Sequence, residues 1–356
     1  MPLKTTKNSI NESELLAHFQ RISPTTQTQF HQKRPYISSA LCPRQLMLNG
    51  TLPTRETEKT PALKYYGGIG NAVEKEILDV YESNGSLLIS GWKLPSELFP
   101  EGVDLGAKLD AIIMYRDTPV LVDIKTVGIV DAHSYAQLTP EDIQALQKGD
   151  NVVIMPDDER IKFAASKKMK QVYEAQLQLY CAITGLDNGF IMSISRRVQD
   201  TFSAGGHLST TFTQIDLSEQ NLIKRVAVLL YGIKSRDLGQ IPSKLAGIKK
   251  THCKDAFCDF VPYCFDGGPI DANIDFSAPF VTPEDEKKLK LECLEIAKGY
   301  VANRASRVPL TLSLAQDELT KRQHINEILS PLRDEAINAV KDYNVYPWDV
   351  EVKVKW

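Results

Sequence analysis

Between Ser86 and Thr126 the apolar positions recur at the two-residue period of strands. They do so first over Ser86–Trp92 and then over Val103–Thr126, which reads as two strands joined by a short turn. On either side the period lengthens to that of a helix. Val73, Ile77, Val80 and Tyr81 form one helical face, preceded by the run Tyr65–Gly70, which places Glu74 on the first turn. Lys168–Ile183 is a second helix, and Ser218–Gly239 a third with Ser218 as N-cap. Phe190–Ser195 and Thr211–Leu217 read as strands. The order helix, three strands, helix, strand, strand predicts an α/β chain, a mixed β-sheet core flanked by helices. Pro283–Arg304 and Ser313–Tyr343 follow as long charged helical stretches, and Val350–Trp356 alternates as a strand-like tail.

Boundaries follow from the same pattern. Residues 1–36 form an N-terminal helical segment, where Asn11 and Glu14 make a capping-box pattern ahead of Leu15, Leu16 and Phe19. Residues 37–270 carry the core, and residues 271–356 form a helical C-terminal extension. Residues 128–168 are irregular apart from a helical piece near Pro140–Gln147; such a length suits a lid, a guiding wall or a plain surface insertion.

Composition narrows the classes. At 356 residues, with 42% hydrophobic and 24% charged residues, the chain can bury a substantial core. A net charge of −3 excludes a global polycation, so any nucleic-acid contact must come from a local basic surface. There is no apolar run of about 18 residues and no secretory leader pattern, so the expected compartment is the cytoplasm, that of the host for a viral chain. In that reducing setting the six cysteines are not expected in disulfides, and clustered ones point to metal ligation. The glycines of Tyr65–Gly70 lack the Gly-Lys-Ser/Thr and preceding strand of a phosphate loop.

The chemistry concentrates in the hairpin. Asp110 interrupts the first strand, and Asp123-Ile124-Lys125 follows Val120-Leu121-Val122 on the second. Alternation places Asp123 and Lys125 on one face and Ile124 on the other. Strand pairing can bring Asp110 close to both. Two neighbouring carboxylates repel, and a divalent cation is their natural partner. A hairpin with solvated end charges is the bland alternative. Two further elements add to the set: Glu74 on the earlier helix, with Glu76 as a competitor, and Gln176 with Tyr180, four apart on one face of the later helix.

Glu74, Asp110, Asp123-x-Lys125 and Gln176-x-x-x-Tyr180, in that order, resemble the PD-(D/E)xK nuclease superfamily. The similarity is greatest to its RecB-type branch, which includes CRISPR-associated adaptation exonucleases and phage exonucleases, and it spans roughly residues 36 to 266. The resemblance implies a restriction-endonuclease-like fold and a metal-dependent deoxyribonuclease, an exonuclease acting on DNA ends or single strands in recombination, repair, replication or degradation. Asp110, Asp123, the Ile124 carbonyl and Glu74 would hold Mg²⁺ or Mn²⁺, and Lys125 would polarise water or meet developing charge. Gln176 and Tyr180 would orient Lys125 or touch the DNA backbone; their bland alternative is packing. Many members carry histidine in place of Glu74, and glycine in place of Ala107. A rival expectation, prompted by the long C-terminal helices, is a nuclease-fold DNA-binding or scaffold protein without essential cutting, working with a recombination or replication protein.

Cys253, Cys258 and Cys264 follow the core as Cys-x4-Cys-x5-Cys, and Cys42 precedes it. Some RecB-type nucleases bind a [4Fe–4S] cluster with one upstream and three downstream cysteines, so the resemblance implies such a cluster. Structural Zn²⁺ is the alternative, and His252 an alternative ligand. Cys181 and Cys293 fall on helical faces as ordinary buried thiols. Candidate phosphate-contacting cations are Arg44, Lys167, Lys168, Arg196, Arg197, Lys249 and Lys250; Tyr65, Tyr66 and Phe257 could stack on bases or belong to the core.

Overall fold

The computed structural model describes residues 31–32, 36–37, 42–51, 53–54, 61–127, 152–154, 170–195, 210–244, 250, 253, 258, 260–266 and 278–340. The central feature is a six-stranded mixed sheet. Its strands are β3 (Leu87–Lys93), β4 (Lys108–Tyr115), β5 (Thr118–Val127), β6 (Val152–Ile154), β7 (Gly189–Ser195) and β8 (Thr210–Gln214). They lie in the order β3-β4-β5-β7-β8-β6. β3, β4 and β5 pair antiparallel, β5 and β7 parallel, β7 and β8 antiparallel, and β6 and β8 parallel. A separate two-stranded ribbon joins β1 (His31–Gln32) to β2 (Pro53–Thr54).

Helices cover both faces. On one side α2 (Pro61–Ser83) packs Ile77, with Val73, Leu78 and Tyr81, on Ala111, Val122, Ile124 and Ile194. On the other, α3 (Lys170–Thr184) and α4 (Glu219–Asp237) bury Leu177, Leu179, Val226 and Leu229 in the main core. α5 (Pro283–Ala302) adds Leu289, Cys293 and Ala297 to that same core. α6 (Arg307–Val340) is tied on by hydrogen bonds from Thr311 to the Thr184 carbonyl (2.8 Å) and from Arg322 to the Ser90 carbonyl (2.6 Å). The described part of the C-terminal extension therefore completes the core and does not stand apart from it.

A smaller apolar cluster lies at the edge. α1 (Pro43–Thr51) contributes Met47 and Leu48, which meet Ile241 and Phe260. α1 crosses α4 at Gly232, where a Cβ would lie 2.8 Å from Leu46 Cβ and 2.9 Å from the Pro43 carbonyl. Only glycine permits that approach, and the approach sets the position of Cys42, the residue before α1.

Several expected boundaries move. The Tyr65–Gly70 run lies inside α2, not ahead of it, so Glu74 is on the fourth turn of that helix. Tertiary packing overrides the weak helix propensity of glycine here, since a Cβ at Gly70 would stand 3.2 Å from Thr126 Oγ1 on β5. Val80 faces solvent, and Leu78 takes the packing role. Ser218 precedes α4 but makes no side-chain cap; Asp216 instead accepts the Ser218 N–H at 2.8 Å and the Asn221 amide at 2.7 Å. α6 begins at Arg307, ahead of Ser313, because Pro309 falls in its first turn, where a missing N–H costs nothing. β6 is a strand within the stretch expected to be irregular. The helix around Asn11, the piece near Pro140–Gln147 and the Val350–Trp356 tail lie outside the described residues.

Candidate active site and cysteine site

The β4–β5 hairpin turns through Arg116 and Asp117, both at positive φ (48° and 62°), the signature of a two-residue turn that matches strand twist. From Tyr115↔Thr118 the ladder runs to Ala111↔Val122. Where it ends, the Asp110 carboxylate takes over: its Oδ2 accepts the Ile124 N–H at 2.8 Å. β5 meanwhile continues beside β7, with Asp123 opposite Ile191 and Lys125 opposite Ser193. The site thus sits where β5 exchanges its antiparallel neighbour for a parallel one.

Asp110, Asp123 and Lys125 come together there. Lys125 Nζ is 2.8 Å from Asp123 Oδ2 and 3.6 Å from Asp110 Oδ2. Asp123 is 1% exposed, and the lysine contact is a charge pair out of hydrogen-bond alignment: neither Asp123 oxygen has a hydrogen-bond partner. Burial pushes the Asp123 carboxyl up to about 7; Lys125 opposes that shift and Asp110 adds to it. Burial alone would lower the Lys125 ammonium, but Asp123 and Asp110 outweigh it, and the net shift is upward.

Glu74 is half-buried on α2, while Glu76 faces solvent, which settles the choice between them. Burial and then Asp110 raise the Glu74 carboxyl; Lys108 and Lys125 pull the other way. Glu74 and Lys108 also line a cavity of about 350 Å³ with Asn71, Ser90 and Leu87. The carboxylate therefore feels the hairpin cluster and opens toward solvent.

Gln176 and Tyr180 make the packing contact named above as their alternative role. Tyr180 is buried and donates its hydroxyl to the Lys108 carbonyl at 2.6 Å, while Gln176 donates to the Tyr180 oxygen at 3.2 Å. The pair pins α3 to β4, and the Tyr180 hydroxyl, raised by burial, stays within electrostatic reach of Asp123, Asp110 and Lys125. The aromatic ring beside Lys125 belongs to Tyr173, whose centroid is 4.9 Å from Nζ. An aromatic residue near a helix start reads as ordinary core, so spacing gave no reason to single it out. Ser193 is a second residue missed: its Oγ is buried without a partner on the strand flanking Lys125. A lone hydroxyl in the apolar run Ile191–Ile194 was its only signal.

The four candidate cysteines share one small cavity. Cys42, Cys253, Cys258 and Cys264 line it with Phe260, Val261 and Arg44. The Cys-x4-Cys gap closes as a tight turn, the Cys258 N–H donating to the Cys253 carbonyl at 3.0 Å. Burial first, and then the neighbouring cysteines, pushes the Cys253 thiol up to about 11 and the Cys258 thiol up to about 12. Cys181 and Cys293 are buried elsewhere in the core.

Arg44 is not a surface cation. It is 8% exposed, donates Nε to the Pro242 carbonyl at 2.9 Å and directs a second nitrogen to Cys264 Sγ at 3.8 Å. Its neighbours include the Pro242 carbonyl, Cys264 Sγ and the Phe280 ring, which place it at the cysteine site. Lys250 pairs with Asp266. Lys167, Lys168, Arg196, Arg197, Lys249, His252 and Phe257 lie outside the described residues.

No family model, curated protein or solved structure matches the chain. Among the described residues, no three of His, Cys, Asp or Glu converge tightly enough to hold one metal ion as they stand, and no helix is long and apolar enough to cross a membrane. The donor chemistry nevertheless fits metals at both places. Asp123 offers two buried, unpartnered oxygens beside Asp110, a hard-cation donor set once the Lys125 ammonium yields its contacts. The second set is four thiols on one cavity, with an arginine beside one sulfur.

Proposed function

We propose that the chain is a metal-dependent deoxyribonuclease with a restriction-endonuclease-like core, acting on DNA ends or single strands. The carrying observation is the hairpin end, where Asp110, Asp123 and Lys125 meet within 3.6 Å and Asp123 is buried with unpartnered oxygens. The sheet order supports this reading, with three antiparallel strands followed by a parallel crossover through α3.

Asp110, Asp123 and the Ile124 carbonyl would hold Mg²⁺ or Mn²⁺, with Glu74 closing the shell from α2. The ion supplies a nucleophilic water near neutral pH and a sink for phosphate charge. Asp110 already holds the β5 backbone at Ile124, so that stretch is fixed before any ligand arrives. Lys125, freed from Asp123, would stand beside the attacking water or the developing phosphate charge. The cysteine quartet would hold an Fe–S cluster. A structural zinc ion with four bonds of about 2.3 Å is the alternative occupant.

The test is hydrolysis of end-labelled DNA by anaerobically purified protein with and without Mg²⁺. Wild type is expected to cut only with the metal, and Lys125→Ala to lose about 10²–10⁴-fold in kcat. Binding without cutting by wild type would move the chain to the scaffold class.

A further inference from the structure

α3 presents Tyr173, Gln176 and Tyr180 along one stripe. Tyr180 fixes the helix to the sheet through the Lys108 carbonyl at 2.6 Å. Seven residues earlier, about 10 Å along the axis, the stripe reaches β5 and sets the Tyr173 ring against the Lys125 ammonium. Among the described residues, the groups close to that ammonium include Asp123 at 2.8 Å, Asp110 at 3.6 Å and the ring at 4.9 Å. Tyr173 is itself half-buried and packed on the main core, so the ring is held from behind.

The chemistry of these neighbours differs. A divalent cation bound by Asp110 and Asp123 takes both carboxylates away from Lys125. A third carboxylate in the place of Tyr173 would be drawn to the same ion. An aromatic face attracts an ammonium through its quadrupole but offers a hard cation no oxygen ligand. We propose that Tyr173 is the positioning residue for Lys125, its ring holding the ammonium at the hairpin end when the carboxylates turn to metal. This rests on the nuclease reading for its catalytic consequence, but not for the contact itself. The ring, and not the hydroxyl, carries the role, and the Tyr180 anchor sets where the ring falls.

The experiment compares Tyr173→Phe with Tyr173→Leu in the full chain. With Mg²⁺ and single-stranded DNA, Tyr173→Leu is expected to lose about 10–100-fold in kcat with KM within about twofold, the scale of a misplaced reacting group. Tyr173→Phe is expected to recover most of that loss. In parallel, reductive methylation of Lys125 is followed by mass spectrometry, both with Mg²⁺ and in an Asp110→Asn/Asp123→Asn background that removes the two carboxylates paired with the amine. Lys125 should label several-fold faster with Leu than with Phe at position 173. Equal labelling in the two variants overturns the proposal, as does a kcat loss in Tyr173→Phe matching that of Tyr173→Leu. Absence of hydrolysis in wild type, with the labelling difference intact, would overturn the nuclease reading and leave Tyr173 as the residue that positions Lys125.

Discussion

The hairpin end and the cysteine cavity both bury ionisable groups, yet they settle the resulting electrostatic cost in opposite ways. At the hairpin the charges balance one another: one ammonium serves two carboxylates, all within a stretch of sixteen residues from Asp110 to Lys125. At the cavity there is no such internal balance. Four thiols drawn from residues as far apart as Cys42 and Cys264 line it; burial pushes those of Cys253 and Cys258 upward, and Arg44 lies beside Cys264. The first arrangement can assemble with local pairing alone. The second gains its full cohesion only when something holds thiolates together. On the proposed reading, metal would be a reagent at one site and a fastening at the other.

The sharpest test of that difference crosses two variants with two readouts. Cys258→Ser should remove the bound iron and the absorbance near about 400 nm. Asp123→Ala should leave both in place while losing about 10²–10⁴-fold of DNA hydrolysis. Loss of iron in Asp123→Ala would show that the two regions form one cooperative unit and dissolve the distinction.

A smaller effect concerns pH. The folded Asp123 carboxyl sits at about 7, above an ordinary carboxylate. The native state therefore binds the proton more tightly than the unfolded chain. Stability from this group is full below pH of about 4 and is lost as pH rises through about 7, a swing on the order of 2–4 kcal/mol. Asp123→Asn should flatten that slope and raise the metal-free melting temperature at pH 8, read by thermal denaturation across pH. A steeper slope in the variant would mean that the charge balance at the hairpin is not the one described.

Smaller still, Tyr180→Phe strips the Lys108 carbonyl of a buried donor and should cost about 1–2 kcal/mol in urea denaturation. At the other region, Arg44→Gln should leave the salt dependence of DNA binding unchanged while costing about 1 kcal/mol of stability. A shallower salt slope in Arg44→Gln would return that residue to the DNA surface.

What could be read in advance follows the same divide between local and distant. The hairpin, the Asp123–Lys125 face and the α3 helix were legible because period-two and period-3.6 patterns are local properties. The grouping of Asp110 with Lys125 followed from adjacency of the strands. The role of Arg44 was not legible, since its partners Pro242, Cys264 and Phe280 lie far along the chain. Tyr180 was expected near Lys125, but the hydroxyl found a carbonyl on β4 first, and the ring that reached Lys125 was Tyr173. β6 escaped notice because three residues carry too little alternation to stand out. Glu74 was placed on the right helix and the wrong turn, because helical glycines held by a close strand look like a loop in sequence.

Asp110 has two employers. One oxygen closes the backbone at Ile124, where β4 no longer can, so the residue would be retained in any descendant that kept the fold and lost the chemistry. Asp123 has no such second duty, its oxygens serving no peptide group. In a lineage drifting away from catalysis, Asp123 is the position that selection would release first, toward asparagine or an apolar residue. Under the proposed function, its persistence, and not that of Asp110, would mark an active site.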